Sequence, residues 1–338
     1  MAGSLEIAHL LTDAANADTG LICAFEFSDD DHVRELEPID VPNALAESGT
    51  RLWLHYNLNN VRARNFLSQA AFIPEELREA IEQQDARRRI EWVDAGLLVV
   101  ISDLTFEQES DPDEVGPLWC FVNDRLLVTA RTHPLKTTDE LRAAMRRGFK
   151  VATCYQLLAW LFGHRTHTVR ELATNMSERV SEIEDEILAG NIKQQREELG
   201  RIRRLCARLR RHLLPDRSGL HKLLQRRTGL WSEEDVELIR TESEELSFLI
   251  DDLSELYERA KLLQEELASR VAEDTGRSLY VLAILSAVFL PMTLVTGIFG
   301  MNVAGLPGLH DDSGFVWVML LILIAGLAVA APFLRKRF

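Results

Sequence analysis

Near the C-terminal end of the chain the hydroxyls of Ser286 and Thr293 stand in a stretch free of charged side chains, and Asn302, His310, Asp311 and Asp312 follow soon after it. At 100° per residue, Leu279, Leu282, Ser286, Leu290, Thr293 and Gly297 fall on one helical stripe, within about 80° of each other. On a lone helix the two hydroxyls would bond back to their own backbone carbonyls. In a ring of such helices the same stripe would line a pore. Leu282 and Leu290 would then form apolar collars able to gate by dewetting, with hydroxyl rings at Ser286 and Thr293 between and beyond them.

The elements that must carry this stripe are apolar and long. Leu279 to Phe299 holds 21 residues and no charge, which at 1.5 Å per residue spans roughly 31 Å, one hydrocarbon thickness. Phe315 to Leu334 has 20 uncharged residues and stops at Arg335-Lys336-Arg337, a basic end of the kind that stays cytoplasmic. Two crossings put both termini inside. The connection 300–314 is then the part that reaches the far side, carrying Asn302, with His310, Asp311 and Asp312 as an attractive surface for arriving cations. No basic segment with a short apolar core opens the chain, so the first 278 residues are expected in the cytosol, anchored to a bacterial-type inner membrane by the tail. Cys23, Cys120, Cys154 and Cys206 lie far apart with no C-x-x-C pair, which fits reduced thiols and excludes a sequence-local zinc finger.

Net charge narrows the partners. The chain carries −15, and the tail from Leu279 contributes about +1, leaving the cytosolic part near −16. Such a field repels nucleic acid and attracts cations. One stretch runs the other way: Arg201 to Arg227 holds ten Lys and Arg. It lies on an amphipathic helix pattern and is expected to pair with acidic neighbouring helices.

Short β-rich runs dominate the first third: Leu21 to Phe27, Arg51 to Tyr56, Arg89 to Val93, Gly96 to Leu104, Leu118 to Val122 and Arg125 to Ala130. Helical patterns lie between them, one opening at Pro74-Glu75-Glu76 with proline at an early helical position. The acidic stretch Glu107 to Glu114 reads as a solvated loop. Residues 1–150 thus form an α/β domain. From about Lys136 apolar residues recur at helical spacing, and Gly190-Asn191 makes a turn between Val169–Ile187 and Ile202–Leu213. Residues 151–231 are a helical hairpin with an acidic tip (Glu182, Glu184, Asp185, Glu186).

After Ser232, an N-cap candidate, apolar residues fall at Ile239, Leu246, Leu249, Leu253, Leu256, Ala260, Leu263 and Leu267, a heptad seam. With no strong breaker before Pro291, the stalk helix of 232–278 is expected to continue into a first span, 279–299, as one helix of about 60 residues. Packing within one subunit would satisfy the seam; self-association in a symmetric oligomer is the favoured reading. The loop 300–314, a second span at 315–334 and a basic tail at 335–338 complete the chain.

Gly300-Met301-Asn302 straight after a span, before a short loop and a second span with a basic end, resembles the CorA superfamily of metal ion transporters. The α/β domain, the long helix and Arg335-Lys336-Arg337 extend that resemblance over the whole chain. It implies a funnel-shaped homopentamer whose first span lines one pore, with Gly300, Met301 and Asn302 as the selectivity motif and Asn302 meeting the metal through its hydration water. Chemistry agrees. Five carboxamide oxygens accept hydrogen bonds from an ion's waters without stripping them, where carboxylates would bind too tightly to release it. A side chain at Gly300 would obstruct the turn, and Met301 is placed behind the ring. The stretch Val303-Ala304-Gly305-Leu306-Pro307-Gly308 is similar to the ZntB-like zinc transporter branch, which implies proton-assisted zinc uptake. The spans offer no Asp, Glu, His or Lys as a proton relay and no Cys or His for zinc, so magnesium, cobalt and nickel stay open as cargo.

Rival readings are an enzyme and a membrane-anchored scaffold or sensor. None of G-x-x-x-x-G-K-[ST], H-E-x-x-H or G-x-S-x-G is present. His164 and His167 share a helix face without a third ligand nearby, and Asn175-Met176-Ser177 reads as an accidental glycosylation pattern. An anchor would be indifferent to a hydroxyl stripe. The acidic long helix (Glu242, Glu244, Glu245, Asp251, Asp252, Glu255) suggests regulation by divalent ions held between cytosolic domains.

Overall fold

A computed structural model describes residues 20–28, 33–47, 49–93, 95–105, 115–190, 195–225, 231–301, 306 and 313–335. The chain divides into two compact units, Met1–Lys261 and Leu262–Phe338.

The first unit is built on a seven-stranded sheet. Its strands are β1 (Leu21–Phe27), β2 (Val33–Glu35), β3 (Arg51–Asn57), β4 (Arg89–Val93), β5 (Gly96–Leu104), β6 (Val115–Val122) and β7 (Leu126–Arg131), in the order β2-β1-β3-β7-β6-β5-β4. Only β3 and β7 pair in parallel. β5 is buried at every residue, as a strand covered on both faces must be. On one side lie α1 (Val41–Ala46), α2 (Val61–Gln69) and α3 (Glu75–Glu82), whose Leu67, Leu77 and Ile81 join Leu54, Trp119 and Phe121 in one core. Over the other face run α4 (Lys136–Arg146), α5 (Cys154–Leu188) and α6 (Gln195–Gln225), with α5 over β3, β6 and β7 and α6 over β4 and β5.

Six strand expectations hold with ends shifted by a few residues; β2 is additional, too short for a periodic signal. Pro74 stands at the N-cap of α3 rather than inside it. α5 opens with a capping box between Thr153 and Gln156 and closes before Gly190, whose φ of +86° suits a residue without Cβ. Asn191 and the acidic stretch Glu107 to Glu114 lie outside the described residues.

The heptad seam has a different use from the one favoured by its spacing. It belongs to α7 (Glu233–Phe299), one helix of 67 residues that runs through Pro291. Ile239, Leu246, Leu249, Leu253 and Ala260 are buried within the single chain, and so are Leu256, Leu263 and Leu267. Up to Lys261 the helix packs in the same unit as α5 and α6: Thr153 donates to Asp235 at 2.7 Å, Arg170 pairs with Glu245, Arg259 pairs with Glu184, and Arg217 lies 3.9 Å from Asp251. A three-helix contact consumes the seam, so the seam carries no argument for self-association.

Buried polar groups tie the sheet to its helices. Arg165 of α5 and Asp216 of α6 form an ion pair at 2.7 Å with both side chains almost fully buried, and Arg165 also donates to the Ser102 carbonyl of β5. Within the sheet, Trp53 Nε1 donates to Thr129 Oγ1 at 2.8 Å, the same oxygen lies 2.8 Å from His55 Nδ1, and Arg131 Nε donates to His55 Nε2 at 3.0 Å. That last bond requires an unprotonated Nε2, so the Nδ1 proton points to Thr129. Burial first, then the Arg131 charge, pulls the His55 pKa down to about 3.

The sign follows. The unfolded chain takes up a proton near pH 6.5 that the folded chain refuses until about pH 3, so this contribution is whole above 6.5 and drains as pH falls through that window. Between pH 7 and pH 5 the loss is about 2 kcal/mol. Urea unfolding of the full chain, followed by tryptophan fluorescence, should show a lower midpoint at pH 5 than at pH 7. In His55→Gln that difference should shrink; an unchanged pH dependence would remove His55 as its source.

Candidate functional site

The second unit contains the far part of α7 and α8 (Gly314–Arg335), and both helices are long and apolar enough to cross a membrane. Their surfaces divide by helical phase. On α7, Ile284, Ala287, Val288, Pro291, Met292 and Val295 are partly buried; on α8, Val318, Ile322, Ala325, Val329 and Ala330 are partly buried and Gly326 fully. The contact is close. A Cβ built on Gly326 would lie 2.3 Å from Met292 Cε, so the glycine leaves the space that the methionine end occupies, as small residues do between helices in lipid.

Leu279, Leu282, Ser286, Leu290, Thr293 and Gly297 occupy the opposite side of α7 and are all exposed in the single chain. Leu290 is the most open of its neighbours at 74%. The structure thus keeps the predicted stripe together on a face that α8 does not cover. Thr293 Oγ1 donates to the Phe289 carbonyl at 2.8 Å and Thr296 Oγ1 to the Met292 carbonyl at 2.9 Å. This is the back-bonding expected of a helical threonine. It spends the donor and leaves the oxygen lone pairs facing outward, a surface that accepts hydrogen bonds from water.

At the end of α7, Gly300 N–H donates to the Thr296 carbonyl at 2.8 Å and Met301 N–H to Ile298 at 3.4 Å. A Cβ at Gly300 would come within 3.0 Å of the Thr296 oxygen. The need for glycine there is this close carbonyl. Met301 is half-exposed in the single chain. Asn302, His310, Asp311 and Asp312 lie outside the described residues, as does the stretch Val303 to Gly305.

The remaining candidates do not assemble. His164 stacks flat on Trp160 at 4.6 Å, while His167 lies 3.3 Å from Glu171, and the two imidazole centroids are 6.5 Å apart. Acids of the hairpin tip pair internally: Glu182 with Arg179, Glu184 with Arg259. On α7, Glu245 and Asp251 face arginines, and Glu242 sits against Gly163 with its carboxyl pKa raised by burial. Among the described residues no three His, Cys, Asp or Glu side chains are placed to hold a metal ion. Sequence reasoning missed the Met292–Gly326 contact, although Ala325, Gly326, Ala328, Ala330 and Ala331 were its visible signal.

Two helices of membrane-spanning length and a sheet-and-helix unit set the frame for comparison with known proteins. Residues 48–337 match the family described as CorA-like Mg2+ transporter protein, and the chain belongs to that family, a family of divalent cation transporters. It is 25% identical over 289 residues to the zinc transport protein ZntB of Yersinia enterocolitica, covering 85% of this chain and 88% of the relative. It is 28% identical to the divalent cation transporter CmaX of Pseudomonas aeruginosa, covering 82% and 83%. The full-length CmaX structure superposes with a TM-score of 0.80 at 25% identity, covering 96% of this chain and 99% of that one. The complete CorA magnesium transporter of Methanocaldococcus jannaschii shares the fold, with a TM-score of 0.75 at 19% identity over 93% and 98%.

The α7–α8 contact sets an expectation. Gly326→Val should overpack against Met292 and destabilise the pair by about 1–3 kcal/mol, read as a lower thermal aggregation temperature of the detergent-solubilised protein. Adding Met292→Ala should restore most of the loss. Failure of the second change to rescue would place the strain elsewhere.

Proposed function

We propose that five copies of this chain surround one pore lined by α7 and carry zinc into the cell across a bacterial-type inner membrane, with both termini cytoplasmic. The observation that carries the reading is the phase of α7: the hydroxyl stripe lies opposite the face that α8 takes, so it is free to face a shared axis. Leu282 and Leu290 act as apolar collars and Ser286 and Thr293 as acceptor rings for the waters of a passing ion. Gly300, Met301 and Asn302 form the entrance, Asn302 holding the ion through its hydration shell, and His310, Asp311 and Asp312 gather cations at the outer side.

An inside-negative potential favours divalent entry by roughly 4.6 kcal/mol per 100 mV, at about 2.3 per charge, so uptake needs no nucleotide. Zinc is favoured by likeness to proteins named for zinc transport. Magnesium or cobalt is the second reading, supported by the family's description and by a stripe without the nitrogen or sulfur ligands zinc prefers. Proton assistance would have to work outside the spans, which hold no carboxylate or imidazole.

Proteoliposomes loaded with a metal-sensitive dye decide between these. Zinc should enter faster than magnesium, an imposed pH gradient should change the rate, and Asn302→Ala should lower zinc flux at least tenfold. Equal flux in the variant removes Asn302 from the path, and preference for magnesium selects the second reading. Absence of any flux would return the anchor hypothesis.

A further inference from the structure

α6 presents its charges unevenly. Arg210 and Arg217 turn toward α7, where Arg210 reaches Ser254 and Arg217 approaches Asp251. These are the acidic-helix contacts expected of the basic stretch. Arg204 and Arg211 lie on another side of α6, exposed and in no ion pair within 4 Å among the described residues, while Arg201 on the same side acts on Glu198. Arg208 shares their stripe at three- and four-residue spacing, so this side of α6 is a basic ridge.

At one end of the ridge a second element joins. Arg88, just ahead of β4, is half-buried: its Nε donates to Ser102 Oγ at 2.6 Å and its Nη2 contacts His212 Nδ1. Because arginine has only donors, Nδ1 must be the acceptor, so His212 is neutral and serves to aim the guanidinium. Burial and the charges of Arg88, Arg211 and Arg208 pull the His212 pKa down to about 4. Arg211 and Arg165 likewise bear on Arg88. The nearby carboxylate, Asp216, is buried and bonded to Arg165, with Arg165 Nε and Nη2 and Asp216 Oδ1 lacking hydrogen-bond partners.

Asp216 faces Arg88 as well as Arg165, and its single charge stands against both guanidiniums with Arg211 nearby, in a chain of net charge −15. The distant negative charge does not balance them, since at physiological salt fields are screened beyond about 8 Å. Solvation of a mobile basic ridge would not require Arg88 to be half-buried and held by two partners.

We propose that Arg88, Arg211 and the ridge residue Arg204 form a binding site for a soluble phosphate-bearing anion, with His212 positioning Arg88. Guanidinium forks match phosphate oxygens in paired hydrogen bonds, and a di- or polyphosphate spans neighbouring arginines better than a monovalent ion does. The site lies entirely within the first compact unit, so it stands whatever ion crosses the membrane.

Isothermal titration of the full chain in neutral phosphatidylcholine nanodiscs with magnesium-free pyrophosphate tests it. Saturable binding is expected, with a stoichiometry of one per chain. Arg204→Gln with Arg211→Gln, both exposed changes, should weaken binding at least tenfold, and Arg88→Lys, which keeps the charge and loses the fork, several-fold. The proposal is overturned if chloride at matched ionic strength gives the same heat, or if the exposed pair leaves affinity unchanged. Binding abolished in phosphatidylglycerol nanodiscs would assign the ridge to lipid headgroups, and a changed oligomeric mass in the double variant would assign it to a second copy; either result replaces the soluble ligand.

Discussion

A helix in hydrocarbon gains nothing from hiding apolar surface, because lipid tails are as apolar as its own side chains. Contact between two such helices must come from close packing, which demands small residues at the crossing. In this chain Gly326 and its alanine neighbours supply that on α8, and Met292 fills the space on α7. This contact lies within the covered faces of the two helices. The face of α7 that α8 covers leaves uncovered the face bearing Ser286 and Thr293. Pro291 falls on the contact side, where a neighbouring helix tolerates the missing backbone hydrogen bond.

The sheet unit answers the opposite problem. Its central strands are buried on both faces, so every polar group on them must find a partner inside. His55 and Thr129 find each other and Trp53, Asp103 takes Thr137 at the start of α4, and Ser102 holds Arg165 with its carbonyl and Arg88 with its hydroxyl. Each bond crosses from one element to another. Breaking one leaves a buried polar atom unpaired, which costs more than the bond contributes. The network therefore specifies how the helices sit on the sheet.

Much of this was legible in the residues. Strands betrayed themselves by β-branched and aromatic runs, the hairpin by Gly190, and the spans by length and absence of charge. The stripe left uncovered by α8 was visible from spacing alone, because hydroxyls among aliphatics mark a phase. What escaped had weaker signals. β2 is three residues long. The polar sheet network joins residues more than 70 positions apart, and no local pattern announces such a pairing. The seam of α7 was read correctly as apolar and given the wrong partner, since a heptad states that a stripe is buried without saying whether the same chain or a copy buries it. Here α5 and α6 lie close enough to do so.

That correction moves the weight of any ring onto other surfaces. With the seam consumed, the spans offer the largest run of exposed apolar side chains among the described residues, Leu279, Leu282, Leu290 and Leu294 among them. Lipid would satisfy the leucines. It would satisfy the hydroxyl oxygens poorly, because their lone pairs accept from nothing in hydrocarbon. Thr293 has already given its proton to Phe289, so only an outside donor can complete it. Water is the donor that fits, and a hydrated cation is a carrier of oriented water. In the ring proposed above, cargo would be chosen by the cost of holding its hydration shell against such acceptors, with ligand softness playing little part.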